Sequence, residues 1–234
     1  MKTGYSKYVS QLRTICKIAF DKNLIDTHSG NISMGVENKI LITKTGRSLI
    51  NLKQDDFTLA SLEDNDKNNN EASSELEVHR FILKSFPSAA VFHCHPLNAA
   101  ALSLCLDKID KISASAAENK TNKFDNANSN SPTYIEKIYS HYPGTDIITP
   151  IDYESAYFFP KIYVFPVKFI DDIKKGGLKF KLNADDIFKE NGVFMIKSHG
   201  SFSWGKTPID ALRWAMTLEA SSEIILKLNS LLFP

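Results

Sequence analysis

The spacing of apolar residues predicts a chain in which helices and strands are mixed. Residues 7–22 place Tyr8, Leu12, Ile15 and Ala19 three and four positions apart. This interval brings apolar side chains onto one face of an α-helix, so the segment is predicted to be an amphipathic helix. We find no repeat of this or any other segment along the chain.

Short apolar runs bounded by turn-forming residues predict strands. Runs of this kind, some of them following a glycine or asparagine turn, occur in the segments 29–33, 39–46, 56–62, 89–95, 161–170 and 192–199. Their order between helical segments favours an α/β protein over an all-helical or all-strand one.

Three further helices are predicted from signals at their N-termini. Ser73 or Ser74 is the predicted cap of the segment 75–86, and Ser74 with Glu77 fits the S-x-x-E capping box. Pro96 lies in the first turn of a second helix, which ends near residue 106. Thr207, followed by a proline, is predicted to be the N-cap of a long helix that ends near residue 228.

One stretch, about 107–145, differs from the rest in composition. It contains ENKTNKFDNANSNSP, with five asparagines between residues 119 and 130. Such a segment can bury little apolar surface, so it is predicted to be a surface insertion. Because strand-like sequence resumes at residue 161, the whole chain 1–234 is interpreted as a single domain.

Composition and charge exclude several classes of protein. The 234 residues are 43% hydrophobic and 24% charged, with a formal net charge of +1. Basic residues are scattered, which argues against nucleic-acid partners, and no apolar run is long enough to span a membrane. The N-terminus lacks the pattern of a signal peptide, and three cysteines are too few for a disulfide framework. A cytoplasmic location is therefore expected.

Candidate chemistry begins at the sequence VFHCHP, residues 91–96. His93 and His95 are two apart on a predicted strand, so their side chains point to the same face, while Cys94 points to the other. Two imidazoles on one face can bind one metal ion. The pair alone is equally consistent with a polar rim at the end of a strand.

A third histidine changes that balance. His199 also ends an apolar run, so three of the six histidines lie at ends of predicted core strands. Three neutral imidazoles with open positions are typical of a catalytic zinc site. The remaining histidines lack this context and are interpreted as surface or core residues; they are His28, His79 and His141. His79, one helical turn after Glu75, has the alternative of supporting the site without binding the metal itself.

Acidic and small polar residues offer further candidates. Glu75, placed in the first turn of a predicted helix, is either a carboxylate that stabilises the helix dipole or a partner of the three histidines. Glycine and hydroxyl groups in SGN (29–31), KTG (44–46) and SS (73–74) could hold an anion together. Clusters of this kind are usually plain turns, so they indicate a site only if they converge.

Six stretches in this order resemble the class II aldolase/adducin family. They are SGNIS, ILITKTG, SSELEVHRFIL, AAVFHCHP, IDYESAYF and KSHGSFSWGKTPIDAL, and the resemblance spans roughly residues 7 to 228. Each stretch is short, but their ordered combination is specific. The resemblance implies a three-layer α/β/α sandwich around a mainly antiparallel sheet. It also implies a homotetramer with active sites between neighbouring subunits.

The resemblance also implies roles for individual residues. His93, His95 and His199 correspond to the ligands of one Zn²⁺ per subunit. Glu75 corresponds to the acidic residue that acts as general acid/base and can bind the metal, and Tyr153 to a proton-donating tyrosine. The positions that match the phosphate-binding residues of the family's aldolases are Gly30, Asn31, Thr45, Gly46, Ser73 and Ser74.

The function implied is a zinc-dependent aldolase. It would cleave a phosphorylated ketose to dihydroxyacetone phosphate and an aldehyde, with Zn²⁺ stabilising the enediolate as a Lewis acid. The family also contains dehydratases, epimerases and decarboxylases of sugar phosphates, and the non-enzymatic adducin head. The sequence has no tyrosine beyond Tyr163, whereas fuculose-phosphate aldolase carries one in a C-terminal tail. The pocket that selects the aldehyde half is therefore expected to differ.

Overall fold

The computed structural model describes residues 3–63, 70–106, 142–176 and 191–232. Within these residues the strands are β1 (Asn31–Val36), β2 (Lys39–Thr43), β3 (Phe57–Ser61), β4 (Ala90–Cys94), β5 (Asp146–Ile148), β6 (Ile162–Phe165), β7 (Gly192–Ile196) and β8 (Gly200–Gly205). The helices are α1 (Ser6–Asp21), α2 (Leu76–Ser85), α3 (97–106), α4 (Tyr153–Phe158), α5 (Lys168–Lys174) and α6 (Pro208–Leu232). Short 3₁₀ turns occupy Thr3–Tyr5, Leu49–Asn51 and Gln54–Asp56.

The described strands form one sheet of eight, in the order β3-β2-β1-β4-β8-β7-β6-β5. Six of the seven neighbouring pairs are antiparallel, and β6 with β7 is the parallel pair. The mainly antiparallel sheet predicted from the family resemblance is thus confirmed. β4 lies near the middle, where Asn31 of β1 and Phe202 of β8 flank His93.

Helices cover both faces of the sheet, which gives the three layers. On one face, α2 and α5 pack on buried side chains such as Ile40, Val91 and Phe202. On the other face, α1 and α6 pack on residues such as Leu41 and Phe92. The alternation along the strands sends neighbouring residues to opposite layers. α3 joins the second layer beside β6 and β7.

The predicted helices agree closely with the structure at their starting points. The segment 7–22 corresponds to α1, and 96–106 corresponds to α3, where Ala100 N–H donates to Pro96 O. Thr207 accepts a hydrogen bond from Asp210 N–H at 3.3 Å, so it is the predicted cap of α6. Most of the insertion predicted at 107–145 lies outside the described residues, which resume at 142.

Two predicted strands are shorter than expected. The segment 161–170 was predicted as one strand, but β6 ends at Phe165 and α5 begins at Lys168. Pro166 lies between them and has no N–H for the sheet, which explains the change. The segment 192–199 was also predicted as one strand, but β7 ends at Ile196 and a turn follows.

The predicted capping box at the start of α2 is wrong. Glu75 is the N-cap of this helix rather than a residue of its first turn, and its side chain does not cap it. Ser74 is exposed, and Glu77 pairs with Arg80 one turn later. Ser73 instead accepts the Glu75 N–H at 3.3 Å. The Glu75 carboxylate is consequently available for other partners.

No helix in the described part of the chain combines the length and the apolar character needed to cross a membrane.

Candidate metal centre

The three histidines singled out in the sequence meet at the end of the central strands. His93 is in β4, His95 follows its last residue, and His199 closes the turn before β8. One ring nitrogen from each lies within 4.8 Å of the others. Their ring centroids are 4.8 to 5.0 Å apart. The group can therefore hold one metal ion, as the strand periodicity and the third histidine suggested.

A backbone contact sets the orientation of His93. Its Nδ1 lies 2.9 Å from the carbonyl oxygen of Ser201 in β8. Because a carbonyl only accepts, Nδ1 carries the proton of the neutral ring and Nε2 keeps its lone pair. That Nε2 points into the cluster, 3.0 Å from Nε2 of His95. Metal-binding histidines are commonly oriented in this way by a carbonyl on the opposite nitrogen.

Glu75 brings a carboxylate into the same cluster. Its Oε1 accepts a hydrogen bond from His199 Nε2 at 3.0 Å, and its Oε2 accepts one from Asn31 Nδ2 at 2.8 Å. Oε2 also lies 3.2 Å from His93 Nε2. The site is open on one side, since the His199 side chain is 35% exposed and that of His93 only 2%.

The donor set fits a divalent cation. His93 Nε2, with its lone pair, lies 3.2 Å from an oxygen of the Glu75 carboxylate, which can only accept. A bound cation would remove the repulsion between these two electron-rich atoms. Two nitrogens bound to one tetrahedral zinc ion lie about 3.3 Å apart, close to the separation of the His93 and His95 nitrogens. His199 would give up its Nε2 proton on binding, as metal sites commonly require.

Burial keeps the ligands in the right protonation state. Burial lowers the pKa of His93 to about 3, and the negative charge of Glu75 offsets only part of that effect. The pKa of His95 is also lowered, mainly by burial and then by the charge of His199. Burial opposes ionisation of Glu75, yet hydrogen bonds from His199 and Asn31 and the nearby His93 hold its pKa below the usual range. Neutral imidazoles thus face an ionised carboxylate.

Close backbone packing makes two glycines necessary at this site. A Cβ at Gly200 would lie 2.5 Å from Cys94 O, 2.7 Å from His95 Cδ2 and 2.8 Å from His93 Cε1. A Cβ at Gly30 would lie 2.6 Å from His93 O, and the φ of Gly30 is +84°. Side chains at either position would displace the strand end that carries His93 and His95.

The three stretches proposed as an anion cradle lie side by side. Thr45 N–H donates to Glu71 O at 3.0 Å, and Ser73 N–H donates to Thr43 O at 3.0 Å, so 43–45 and 71–73 pair as extended chains. Thr43 Oγ1 in turn accepts the Ile32 N–H at 3.2 Å, which brings the start of β1 alongside.

The individual cradle residues differ in exposure. Thr45, Gly46 and Ser74 are exposed, and Gly46 has a φ of +68°. Asn31 and Ser73 are each 8% exposed. A mixture of exposed backbone and buried hydroxyl and amide groups at one rim suits an anion that enters from solvent.

Tyr153, the remaining predicted residue, is not packed into the chain. It is the first residue of α4, and 77% of its surface is exposed. Its helix packs through Phe158 on Trp214 of α6. No contact among the described residues joins Tyr153 to the histidines.

The structure distinguishes the alternatives that the sequence left open for His79. It is fully buried rather than a surface residue, and it hydrogen-bonds to Ser33 and Asn31. Its position four residues after Glu75, on the same face of a helix, was the signal for a supporting role. Ser33 carried no signal of its own, because a serine in a strand is ordinary.

Comparison with known proteins identifies the family. The family model for the class II aldolase and adducin N-terminal domain matches residues 10–226. The chain belongs to this family.

Curated relatives named L-fuculose phosphate aldolase match this chain. The protein from Methanocaldococcus jannaschii is 24% identical over 217 residues, 92% of this chain and 94% of its own length. The protein from Methanococcus maripaludis strain S2 is 35% identical over 105 residues. That match covers 44% of this chain and 57% of the relative, so the chain spans less than two thirds of it.

Solved structures show the same fold at low sequence identity. L-fuculose-1-phosphate aldolase from Thermus thermophilus has a TM-score of 0.65 and 20% identity, covering 96% of this chain and 95% of that one. A sugar-phosphate aldolase from Thermotoga maritima has a TM-score of 0.57 and 18% identity, covering 97% and 96%. These likenesses establish the three-layer architecture of this chain.

Proposed function

We propose that this protein is a zinc-dependent lyase that cleaves a phosphorylated ketose to dihydroxyacetone phosphate and an aldehyde. The observation that carries the proposal is the convergence of His93, His95 and His199 on the carboxylate of Glu75, beside a polar rim suited to phosphate. Membership of the class II aldolase family supports it. The relatives named as L-fuculose phosphate aldolases support the substrate class.

His93, His95 and His199 would hold the ion in this proposal. A bound Zn²⁺ supplies Lewis acidity, which stabilises the negative charge of the enediolate that forms when a carbon–carbon bond beside a carbonyl breaks. Ser201 contributes by fixing the ring of His93 through its carbonyl oxygen. The 35% exposure of His199 leaves an open side from which the substrate can enter.

Glu75 is proposed as the group that moves a proton at the substrate carbon. In the condensation direction it would remove this proton as a base, for which it must be ionised and within reach of the carbon; in cleavage the same carboxyl group would deliver the proton to the enediolate carbon. The hydrogen bonds from His199 and Asn31 keep this carboxylate ionised, and its side chain is 10% exposed. If the ion draws His199 Nε2 away, one carboxylate oxygen becomes free for proton transfer.

The substrate phosphate is proposed to bind at the rim described above. Its donors would come from Gly30, Asn31, Thr45, Gly46, Ser73 and Ser74. Exposed backbone N–H groups in glycine turns are common anion sites, and hydroxyl groups add further donors. Binding the phosphate there holds the reacting carbons near the histidines, which lowers the entropic part of the barrier.

Tyr153 is proposed to act in the site of a neighbouring subunit, where it would take the proton from the hydroxyl group that becomes the aldehyde oxygen and would return it in the reverse reaction. Its 77% exposure in the single chain supports a role that requires a second copy. A homotetramer with active sites between subunits, as the family resemblance implies, would supply that copy.

The decisive experiment combines metal analysis with a substrate screen. Purified protein is analysed for bound divalent metal and then incubated with a panel of ketose 1-phosphates. Dihydroxyacetone phosphate is followed with a coupled reductase, and the aldehyde is identified by mass spectrometry. We expect about one zinc per chain and stoichiometric formation of the two fragments. Protein without divalent metal, whose activity is unchanged by His93→Ala, would contradict the proposal.

Matched variants separate the proposed roles. His93→Ala is expected to lose the metal, while Glu75→Gln is expected to bind it more weakly and, when loaded, to lose roughly 10²- to 10⁴-fold in kcat. His28→Ala is the control, because His28 is exposed and its side chain contacts Thr27 rather than the cluster. Equal effects of His28→Ala and His93→Ala would exclude a specific role for the cluster.

The same screen distinguishes the other reactions of this family. Loss of water without fragmentation would indicate a dehydratase, and release of carbon dioxide a decarboxylase. A change of configuration without loss of mass would indicate an epimerase. A tetramer with neither metal nor turnover would point to a non-enzymatic, adducin-like role.

A further inference from the structure

A buried chain of hydrogen bonds runs from β1 to the Glu75 carboxylate. Ser33 Oγ lies 2.6 Å from His79 Nδ1, and His79 Nε2 lies 2.5 Å from Asn31 Oδ1. Asn31 Nδ2 then donates to Glu75 Oε2 at 2.8 Å. Ser33 and His79 are fully buried, and Asn31 and Glu75 are each 8% exposed. Four polar side chains thus form one continuous line inside the protein.

The direction of every hydrogen bond in this line follows from its acidic end. An ionised carboxylate only accepts, so the Asn31 atom that faces Glu75 is the amide nitrogen. The amide oxygen must then face His79, and since it only accepts, His79 Nε2 carries the proton. Burial lowers the pKa of His79 to about 4, so the ring is neutral and its Nδ1 accepts. Ser33 therefore donates its hydroxyl proton to Nδ1.

Rigid elements hold both sides of this line. Asn31 and Ser33 are two apart in β1 and face the same side of the sheet. His79 lies in α2, four residues after Glu75, and donates its backbone N–H to Glu75 O at 3.2 Å. Its ring also packs edge-on against Phe202 of β8, with centroids 5.9 Å apart. The ring has little freedom to turn.

We infer that His79 is a positioning residue, held by Ser33 as the Nε2–H tautomer, which fixes the Asn31 amide so that it donates to Glu75. This inference rests on the proposed function, in which Glu75 acts beside a zinc ion. Without the Nε2 proton, the Asn31 amide has no fixed orientation. Its oxygen can then turn to the carboxylate, where two acceptors repel each other.

A purely structural role of His79 makes different predictions. A buried histidine that only fills space and satisfies its neighbours would, on substitution, lower stability and leave the folded site unchanged. His79→Gln keeps a donor towards Asn31 and an acceptor towards Ser33, while His79→Leu removes both at similar volume. The pair therefore separates loss of the donor from loss of the imidazole.

The first measurement determines the tautomer of the His79 ring in the wild-type protein. Solid-state ¹⁵N NMR of protein labelled at its histidines reports the tautomer of each ring, and the spectrum of His79→Gln assigns the His79 signals. We expect a protonated Nε2 and an unprotonated Nδ1 for His79 in metal-free protein. The opposite tautomer would overturn the inference, because Asn31 would then present its nitrogen to His79. This result is independent of whether the protein is a lyase.

The second measurement is zinc affinity, determined by competition with a chromogenic chelator on folded protein. Supporting groups around metal ligands typically change affinity or activity by roughly 10- to 100-fold. We expect a loss of that size for His79→Leu and a loss below about threefold for His79→Gln, which keeps the donor. If folded His79→Leu binds zinc like the wild type, His79 has only a structural role. If His79→Leu fails to fold, the tautomer measurement alone decides.

Discussion

Gly200 lies against the ring of His95 so closely that a Cβ at Gly200 would be 2.7 Å from His95 Cδ2. The same Cβ would be 2.5 Å from the carbonyl oxygen of Cys94, a backbone atom that cannot move without bending β4. The first residue of β8 must therefore be glycine for the strand end that carries the histidines to keep its shape.

Gly200→Ala is accordingly expected to weaken zinc binding by about tenfold or more, because His93 and His95 must shift apart. Chelator competition measures the affinity, and circular dichroism shows whether the protein is still folded. Gly4→Ala is the matched control, since a Cβ at Gly4 meets nothing within 4 Å. Folded Gly200→Ala with unchanged affinity would show that the cluster does not depend on this packing.

The turn that carries His199 depends on a side chain from α3. Ser198 has a φ of +57°, which is uncommon for a residue other than glycine, and its N–H donates to Ser103 Oγ at 2.9 Å. Ser103→Ala removes this acceptor. We expect a loss of about 1 kcal/mol in the free energy of unfolding. We also expect weaker zinc binding, because His199 follows Ser198 directly.

Ser222→Ala is the control for Ser103→Ala. Ser222 is a fully buried serine of α6 whose hydroxyl donates to Leu218 O at 2.8 Å, within the helix. Urea unfolding should show a similar or smaller loss for Ser222→Ala, with unchanged zinc affinity. Equal zinc affinity in both serine variants would mean that Ser103 does not position the turn.

The sequence was sufficient for features that depend on local spacing. The two-residue interval of His93 and His95 correctly placed both imidazoles on one side, because side chains alternate along any strand. The apolar interval in 7–22 likewise identified α1, and a threonine followed by a proline identified the start of α6. Each of these signals lies within a few residues of the element that it predicts.

Features set by distant contacts could not be predicted in the same way. β8 was not predicted as a strand: its SFSW core alternates polar and aromatic residues, but glycine stands at both ends, as in a turn, and only pairing with β4 and β7 buries all six residues. The burial of His79 depends on Asn31 and Ser33, more than forty residues earlier. The parallel pairing of β6 with β7 likewise requires knowledge of the sheet order.

His79 should make the metal-free protein sensitive to acid. Burial lowers the pKa of His79 to about 4 from 6.5, and the Glu75 charge offsets part of this. The unfolded chain binds a proton near pH 6.5 and the folded chain only near pH 4. Stability from the neutral ring is therefore present above about pH 6.5 and lost as the pH falls towards about 4.

His79→Gln has no titrating group at that position, so its stability should fall less on acidification. Between about pH 7 and pH 5 the difference from wild type is expected to be about 2 kcal/mol, measured by urea unfolding of metal-free protein. His28→Gln, at an exposed position, should behave like the wild type. If wild type and His79→Gln lose equal stability, His79 is not held neutral by the fold.

The three cysteines should differ sharply in reactivity. Burial raises the pKa of Cys16 and Cys94 to about 12, because a thiolate is unfavourable in an apolar core. Cys105, in α3, is only partly buried.

Since the thiolate is the reactive form, a disulfide reagent at about pH 8 should modify Cys105 in the folded protein and the other two cysteines only after unfolding. Cys105→Ser should abolish the native reaction. Rapid native modification of Cys94 would contradict its place in the core behind the histidine cluster.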